Sequence, residues 1–194
     1  SFGASVARNL IGWDLFGNKT PVQVQAYVGN SSIQAGRDLT LTAETFETIN
    51  ATVLAGSVAL SAGLAADSAS GAGAGAENKI STQVKSFIEN STGTGVNVVR
   101  DITLTAHDTS TITAFVGAAS MAGSIGALGG NAVSIGVAVA NNNISNVVEA
   151  YVKAATPKLV SRNLTIQAFE DATIRATSVA ASAAANSNIF GLTI

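Results

Sequence analysis

The chain predicts an all-β fold, a β-solenoid resembling a parallel β-helix, built from repeats of about 60–64 residues. Three observations predict it. The block Arg37-Asp38-Leu39-Thr40-Leu41-Thr42-Ala43 returns as Arg100-Asp101-Ile102-Thr103-Leu104-Thr105-Ala106 and again as Arg162-Asn163-Leu164-Thr165-Ile166-Gln167-Ala168, at offsets of 63 and 62 residues. Within the blocks, apolar and polar residues alternate with period two and Thr, Val and Ile dominate, which is strand patterning. Aromatics make up 5% and charges 11% of the chain. Small Ala, Gly, Ser and Thr fill the difference, and they suit closely stacked sheets.

Two further motifs recur in phase with the first. An alternating run ends in an aromatic and a β-branched residue at Val24–Val28, Val84–Ile88 and Val148–Val152. A Thr-Ile-x-Ala motif stands at Thr48–Ala51, Thr111–Ala114 and Thr173–Ala176, followed by a long small-residue stretch. That stretch closes with Ala76-Glu77-Asn78-Lys79-Ile80-Ser81 and with Ala140-Asn141-Asn142-Asn143-Ile144-Ser145, and Ala7–Ile11 matches the same closing motif. The chain therefore divides as one array: a partial repeat at 1–20 with an insertion from Gly12 to Pro21, repeats at 21–80 and 81–144, and an incomplete repeat at 145–194. Each repeat makes either one wide coil of about sixty residues or three coils of about twenty, and the pattern alone admits both.

Element by element, Leu39–Thr42 and its copies read as strands with one apolar face. Val133–Val139 alternates β-branched with small residues, which fits a strand buried on both faces. Gly29–Ser32, Gly93–Gly95 and Thr156-Pro157 read as turns. The Ala-rich segments, including Ser178–Asn186, have helical propensity. The matching stretch ends in Gly71-Ala72-Gly73-Ala74-Gly75-Ala76, and glycine at every second position disfavours helix, so strand is expected. Residues 113–140 carry no charge over more than a membrane span, yet they are rich in Gly, Ser and Asn and alternate. They read as buried sheet, with no membrane insertion.

The in-phase polar residues are the candidate ladders. Asn78 and Asn142, with Asn9, predict an inward amide ladder. Arg37, Arg100 and Arg162, each followed by Asp38, Asp101 or Asn163, predict ion pairing at a corner rather than a bare row of guanidinium groups. Tyr27, Phe87 and Tyr151 form a row that is core if inward and a sugar platform if outward, and the core placement is favoured. His107, Asp108 and Ser110 lie close in sequence, but neighbouring strand residues point to opposite faces, so they make no triad.

A net charge of −2 without a basic block points away from nucleic acid. One His and no Cys leave no multi-histidine or thiolate metal site. No phosphate loop or calcium nonapeptide is present, and no catalytic residue or cofactor is implied. The sequence opens at Ser1 without an initiator Met or a visible signal peptide, and the expectation is a piece of a longer chain or a processed product.

The combined pattern, Ala-x-Asn-x-Ile-Ser, Val-x-Ala-Tyr-Val, Arg-Asp-Leu-Thr-Leu-Thr-Ala and Thr-Ile-x-Ala followed by small residues, resembles the repeats of large bacterial secreted surface proteins. These are the filamentous-haemagglutinin-like and giant repetitive adhesins. The resemblance implies an extracellular, secreted or cell-surface β-solenoid stalk or filament whose partners are neighbouring copies joined end to end. The insertion departs from the pattern and is either a decoration on one face or a segment docking into a neighbour. A second class of function is a polysaccharide- or ice-binding face built on Thr40/Thr103/Thr165 and Thr42/Thr105, with Gln167 interrupting the second row. A third, a carbohydrate-active β-helix enzyme, needs clustered acids and bases that so few charges do not supply.

Overall fold

The structure, a computed structural model, describes residues 1–155 and 159–188. The turn expected at Thr156-Pro157 lies outside the described residues. All described regular structure is strand. The strands are β1 (Phe2–Ile11), β2 (Val22–Gly29), β3 (Ile33–Ala35), β4 (Leu39–Gly63), β5 (Ser68–Ile80), β6 (Thr82–Glu89), β7 (Val96–Val98), β8 (Asp101–Gly126), β9 (Ala132–Ile144), β10 (Val147–Lys153), β11 (Leu159–Val160) and β12 (Asn163–Asn188). The Ala-rich stretches are strand, as the alternating glycines require, and Ser178–Asn186 lies within β12.

Strands four places apart pair in parallel, giving the sheets β1-β5-β9, β2-β6-β10, β3-β7-β11 and β4-β8-β12. Thr40 opposes Thr103, which opposes Thr165, and Val24 opposes Val84, which opposes Val148. Like residues therefore stack on like. Each sheet takes one strand per sixty-residue repeat, which selects one wide layer per repeat over three narrow ones. A 25-residue strand such as β4 would not fit a coil of about twenty residues.

Side-chain size sets the core. Sheet β4-β8-β12 faces both β1-β5-β9 and β2-β6-β10. Near β3-β7-β11 the interior holds Val28, Ile88, Val96, Val98, Ile102 and Leu104. Along the strands it passes to Ile49, Ile80 and Ile112, and then to Val53, Ala72, Ala74, Ala76, Val116 and Ala118. Ile80, Ile88, Ile102, Leu104 and Ile112 are fully buried, each worth about 1.5–3 kcal/mol by transfer from water. At the small-residue end the sheets approach so closely that a Cβ at Gly136 would lie 2.6 Å from the Ala181 carbonyl. Only small residues fit there, and serine pairs bridge the gap, Ser57 to Ser70 at 2.6 Å and Ser120 to Ser134 at 2.7 Å.

This close approach corrects one expectation. Val133–Val139 is not buried on both faces. Ser134, Gly136 and Ala138 point inward, while Val133, Ile135, Val137 and Val139 are exposed on the outside. The uncharged stretch 113–140 is likewise half exposed: Phe115, Met121 and Ile125 stand on the outer face of β8. In this half, beyond Val53 and Val116, the bulk sits outside because the narrow interior admits only small residues.

Candidate functional site

Three ladders tie the layers together, and each follows from register. The closing motif places Asn9 opposite Asn78 and Asn78 opposite Asn142. Asn9 Nδ2 donates to Asn78 Oδ1 at 2.8 Å, and Asn78 Nδ2 donates to Asn142 Oδ1 at 2.7 Å. Asn78 is fully buried, so the amide ladder is inward, as expected.

The corner before β4, β8 and β12 carries the arginines. Arg162 donates to Asp101 through Nε at 3.1 Å and Nη2 at 2.7 Å, and Arg100 lies 3.7 Å from Asp38. Arg100 and Arg162 thus each pair with the acid of the preceding layer. The Arg162 hydrogen bonds, with one from Asn163, hold the Asp101 carboxyl below its ordinary range. These groups are solvent-exposed, so the pairing sets register more than stability.

Tyr27, Phe87 and Tyr151 stack at 5.1 and 5.0 Å with planes within 9° of parallel. The row lies on the outside, with Tyr27 58% exposed, so the core placement is wrong. Val24, Val84, Val28 and Ile88 take the inward parity. Because the rings stack on one another, the inner ring faces are consumed and mainly edges meet solvent. That geometry joins layers and gives a poor seat for sugar rings, which need open faces.

The outer face of β4-β8-β12 carries the Thr40/Thr103/Thr165 row and, eight positions on, a second row, Thr48/Thr111/Thr173. His107 faces outward between Phe46 and Phe169, edge-on to both at 6.2 and 6.1 Å, with Asp171 Oδ2 3.2 Å from Nε2. Asp108 points the other way, as the strand parity requires.

The alternation argument did not anticipate an interior acid network. Asp108 is fully buried. It accepts from Thr82 Oγ1 at 2.7 Å, Ser110 Oγ at 2.8 Å and Asn146 Nδ2 at 2.7 Å. Three donors satisfy the charge, as burial demands. Glu47 sits on the same inner face, bonded by Thr45 Oγ1 and, at 3.4 Å, by Ser110 Oγ. Burial first and the Asp108 charge second raise the pKa of Glu47, and the same two causes raise that of Glu170. Counting parity from the buried Ala106 would have placed Asp108 and Ser110 inside. Among the described residues no group of three His, Cys, Asp or Glu is placed to hold a metal ion.

The insertion folds back on its own chain. Gly12 has φ +67°, and a Cβ there would collide with the Ser81 carbonyl, so the exit from β1 requires glycine. Asp14 accepts from the backbone of Phe16 and Asn18 at 2.9 and 2.8 Å, closing the loop. The Trp13 ring lies against Lys19 and Lys79, whose ammonium groups are 5.4 and 5.0 Å from its centroid, and Lys19 reaches Ser145. The segment decorates one edge and contacts three successive layers.

No protein-family model, curated protein or solved structure matches the chain.

Proposed function

We propose that the chain is a stretch of a β-solenoid rod, a non-catalytic structural module of a bacterial adhesin stalk or self-assembling extracellular filament. The observation that carries this reading is the parallel, like-on-like register across all four sheets. A layer built this way is a template for the next: its free strand edge offers the same hydrogen bonds and the same Asn, Arg/Asp and aromatic ladders. Neighbouring repeats or copies therefore add along the stacking direction, and rigidity follows from ladders that lock every layer. The buried orientation of Asp108, opposite to His107, supports the non-catalytic reading. Electron microscopy of the protein isolated from its native source without refolding tests it. Regular filaments or long thin stalks are expected, and compact particles of constant size at all concentrations refute it.

The outward threonine rows favour a second reading, a face that binds polysaccharide or ice. Replacing Thr40, Thr103 and Thr165 with Lys should abolish retention on glycan or ice supports while leaving the circular dichroism of the fold intact. Unchanged retention refutes that reading.

A further inference from the structure

The inner polar columns of sheet β4-β8-β12 change from layer to layer. Register stacks Thr45, Asp108 and Glu170, and beside them Glu47, Ser110 and Ala172. The buried Asp108 is satisfied by Thr82 of its own layer, Asn146 of the next layer and Ser110 two residues along its strand. Glu170 accepts no hydrogen bond among the described residues. It lies on β12, whose described neighbour, β8, covers one edge only.

The open edge of β12 matches the opposite end of the molecule. The amide ladder ends in a free donor, Asn142 Nδ2, and a free acceptor, Asn9 Oδ1, among the described residues. The aromatic ladder likewise ends in Tyr151 and Tyr27. A second copy added head to tail in this register sets its Asn9 on Asn142 and its Tyr27 on Tyr151. The same register sets the incoming Thr45 and Glu47 against Glu170 and Ala172, and closes over Glu170.

Glu170 then meets none of the donors that serve Asp108. The position of Ser110 is Ala172 in its layer. The column of Thr82 and Asn146 continues with Val22 of the incoming copy. Asn146 already directs its amide hydrogens to Asp108 and Ser110, and the incoming Thr45 donates to its own Glu47. The titratable groups facing Glu170 are acids, Asp108 on β8 and the incoming Glu47 on β4. Asn142 and Ile144 of β9, Val148 and Ala150 of β10, and Asn9, Ile11, Val22 and Val24 of the incoming β1 and β2 carry no charge. A carboxylate closed in among acids without a donor is strongly disfavoured, whereas a carboxylic acid is not.

We propose that acid gates end-to-end growth: the β12 edge accepts the first layer of a second copy once Glu170 is protonated. This rests on the end-to-end reading above and adds its regulation. Burial first and Asp108 second already raise the Glu170 pKa above the ordinary 4.5 in the single chain, and the joint raises it further. The joint therefore takes up a proton. It is strongest below the single-chain value and is lost as pH rises through the joined value, by at most about tenfold per pH unit.

Sedimentation velocity and negative-stain filament length between pH 7 and pH 4.5, at constant ionic strength, read the gate. Wild-type protein is expected to lengthen as pH falls. Glu170→Gln should assemble at pH 7 with at least tenfold higher affinity than wild type and with a flattened pH profile. Val22→Asn supplies the missing next-layer donor, so it should also promote assembly at pH 7 while Glu170 stays charged. General loss of negative charge is the rival cause. Glu89→Gln in the middle layer changes the net charge equally and should leave assembly at pH 7 unchanged. Circular dichroism checks each fold, and should Glu170→Gln misfold, Val22→Asn decides. Wild-type filaments equal in length at both pH values overturn the gate while leaving the rod standing. A wild-type pH profile in folded Glu170→Gln, or an equal gain in Glu89→Gln, also overturns the gate. Single particles for every variant at every pH refute the end-to-end reading itself, and the gate with it.

Discussion

Replacing Asn78 with Ala tests whether the amide ladder holds the layers together. Asn78 is the middle rung and makes two inter-layer bonds, at 2.8 and 2.7 Å, whereas Asn142 is described with one. Each buried hydrogen bond contributes about 0.5–1.5 kcal/mol net, and a partner left unsatisfied costs about 1–3 kcal/mol more when fully buried. Asn9 and Asn142 are half-buried, so water recovers part of that penalty. The truncation of Asn78 also leaves a small void in a fully buried position. The expected loss is about 3–4 kcal/mol for Asn78→Ala and about 1–2 kcal/mol for Asn142→Ala. Urea unfolding followed by circular dichroism measures both. Equal losses, or a loss below about 1 kcal/mol at Asn78, would refute the argument that the buried rung couples two neighbours.

Glu47 and the tryptophan hairpin supply two further predictions. Burial and Asp108 raise the Glu47 pKa above the ordinary 4.5 in the folded chain, so folding takes up a proton there. Its favourable contribution is complete below the unfolded pKa and is lost as pH rises through the raised value. Glu47→Gln should therefore be more stable than the wild type at pH 7, with the difference shrinking as pH falls toward 4.5. A constant difference across that range in thermal melts would contradict it. Trp13 is the single tryptophan, so its fluorescence reports the hairpin directly. Lys79→Ala should shift the emission and loosen the hairpin by about 0.5–1 kcal/mol, leaving global unfolding nearly unchanged. An unaltered spectrum would show that the cation–indole contact holds nothing.

Much of the architecture was legible because the period was. Residues recurring in phase had to stack, and Asn78 with Asn142, and Arg100 with Arg162, do so. Alternation settles which residues share a face but not which face turns inward. The place of Tyr27 in an alternating run, just before a β-branched residue, favours the inside, yet Val24 and Val28 hold that parity and the ring lies outside. The same ambiguity hid the exposed ridge of β9, because large residues normally mark the interior. Here the interior narrows until only Ala, Gly and Ser fit, and the rule inverts. Asp108 enters the sequence reading only as a member of a triad that strand parity excludes, and its shared parity with Ala106 and Ile112 is what places it within the core. The width of the layer was decided by pairing across sixty residues, which local pattern does not encode.

In the proposed rod, the small-residue half and the ladder-rich half would play different parts. Ladders of Asn78, Arg162 and Phe87 join successive layers. The Asn78 and Phe87 ladders carry no titrating group, whereas the Arg162 rung needs the Asp101 carboxylate, which Arg162 holds ionised to lower pH than usual.

The central claim is that strands lie across the long axis of an assembling rod and stack along it. X-ray diffraction from magnetically or flow-aligned filaments of the native protein tests this most directly. A sharp reflection at about 4.7–4.9 Å along the filament axis, the spacing of hydrogen-bonded strands, is the predicted result. The same spacing perpendicular to that axis would mean that layers do not stack along the rod, and the account would be wrong.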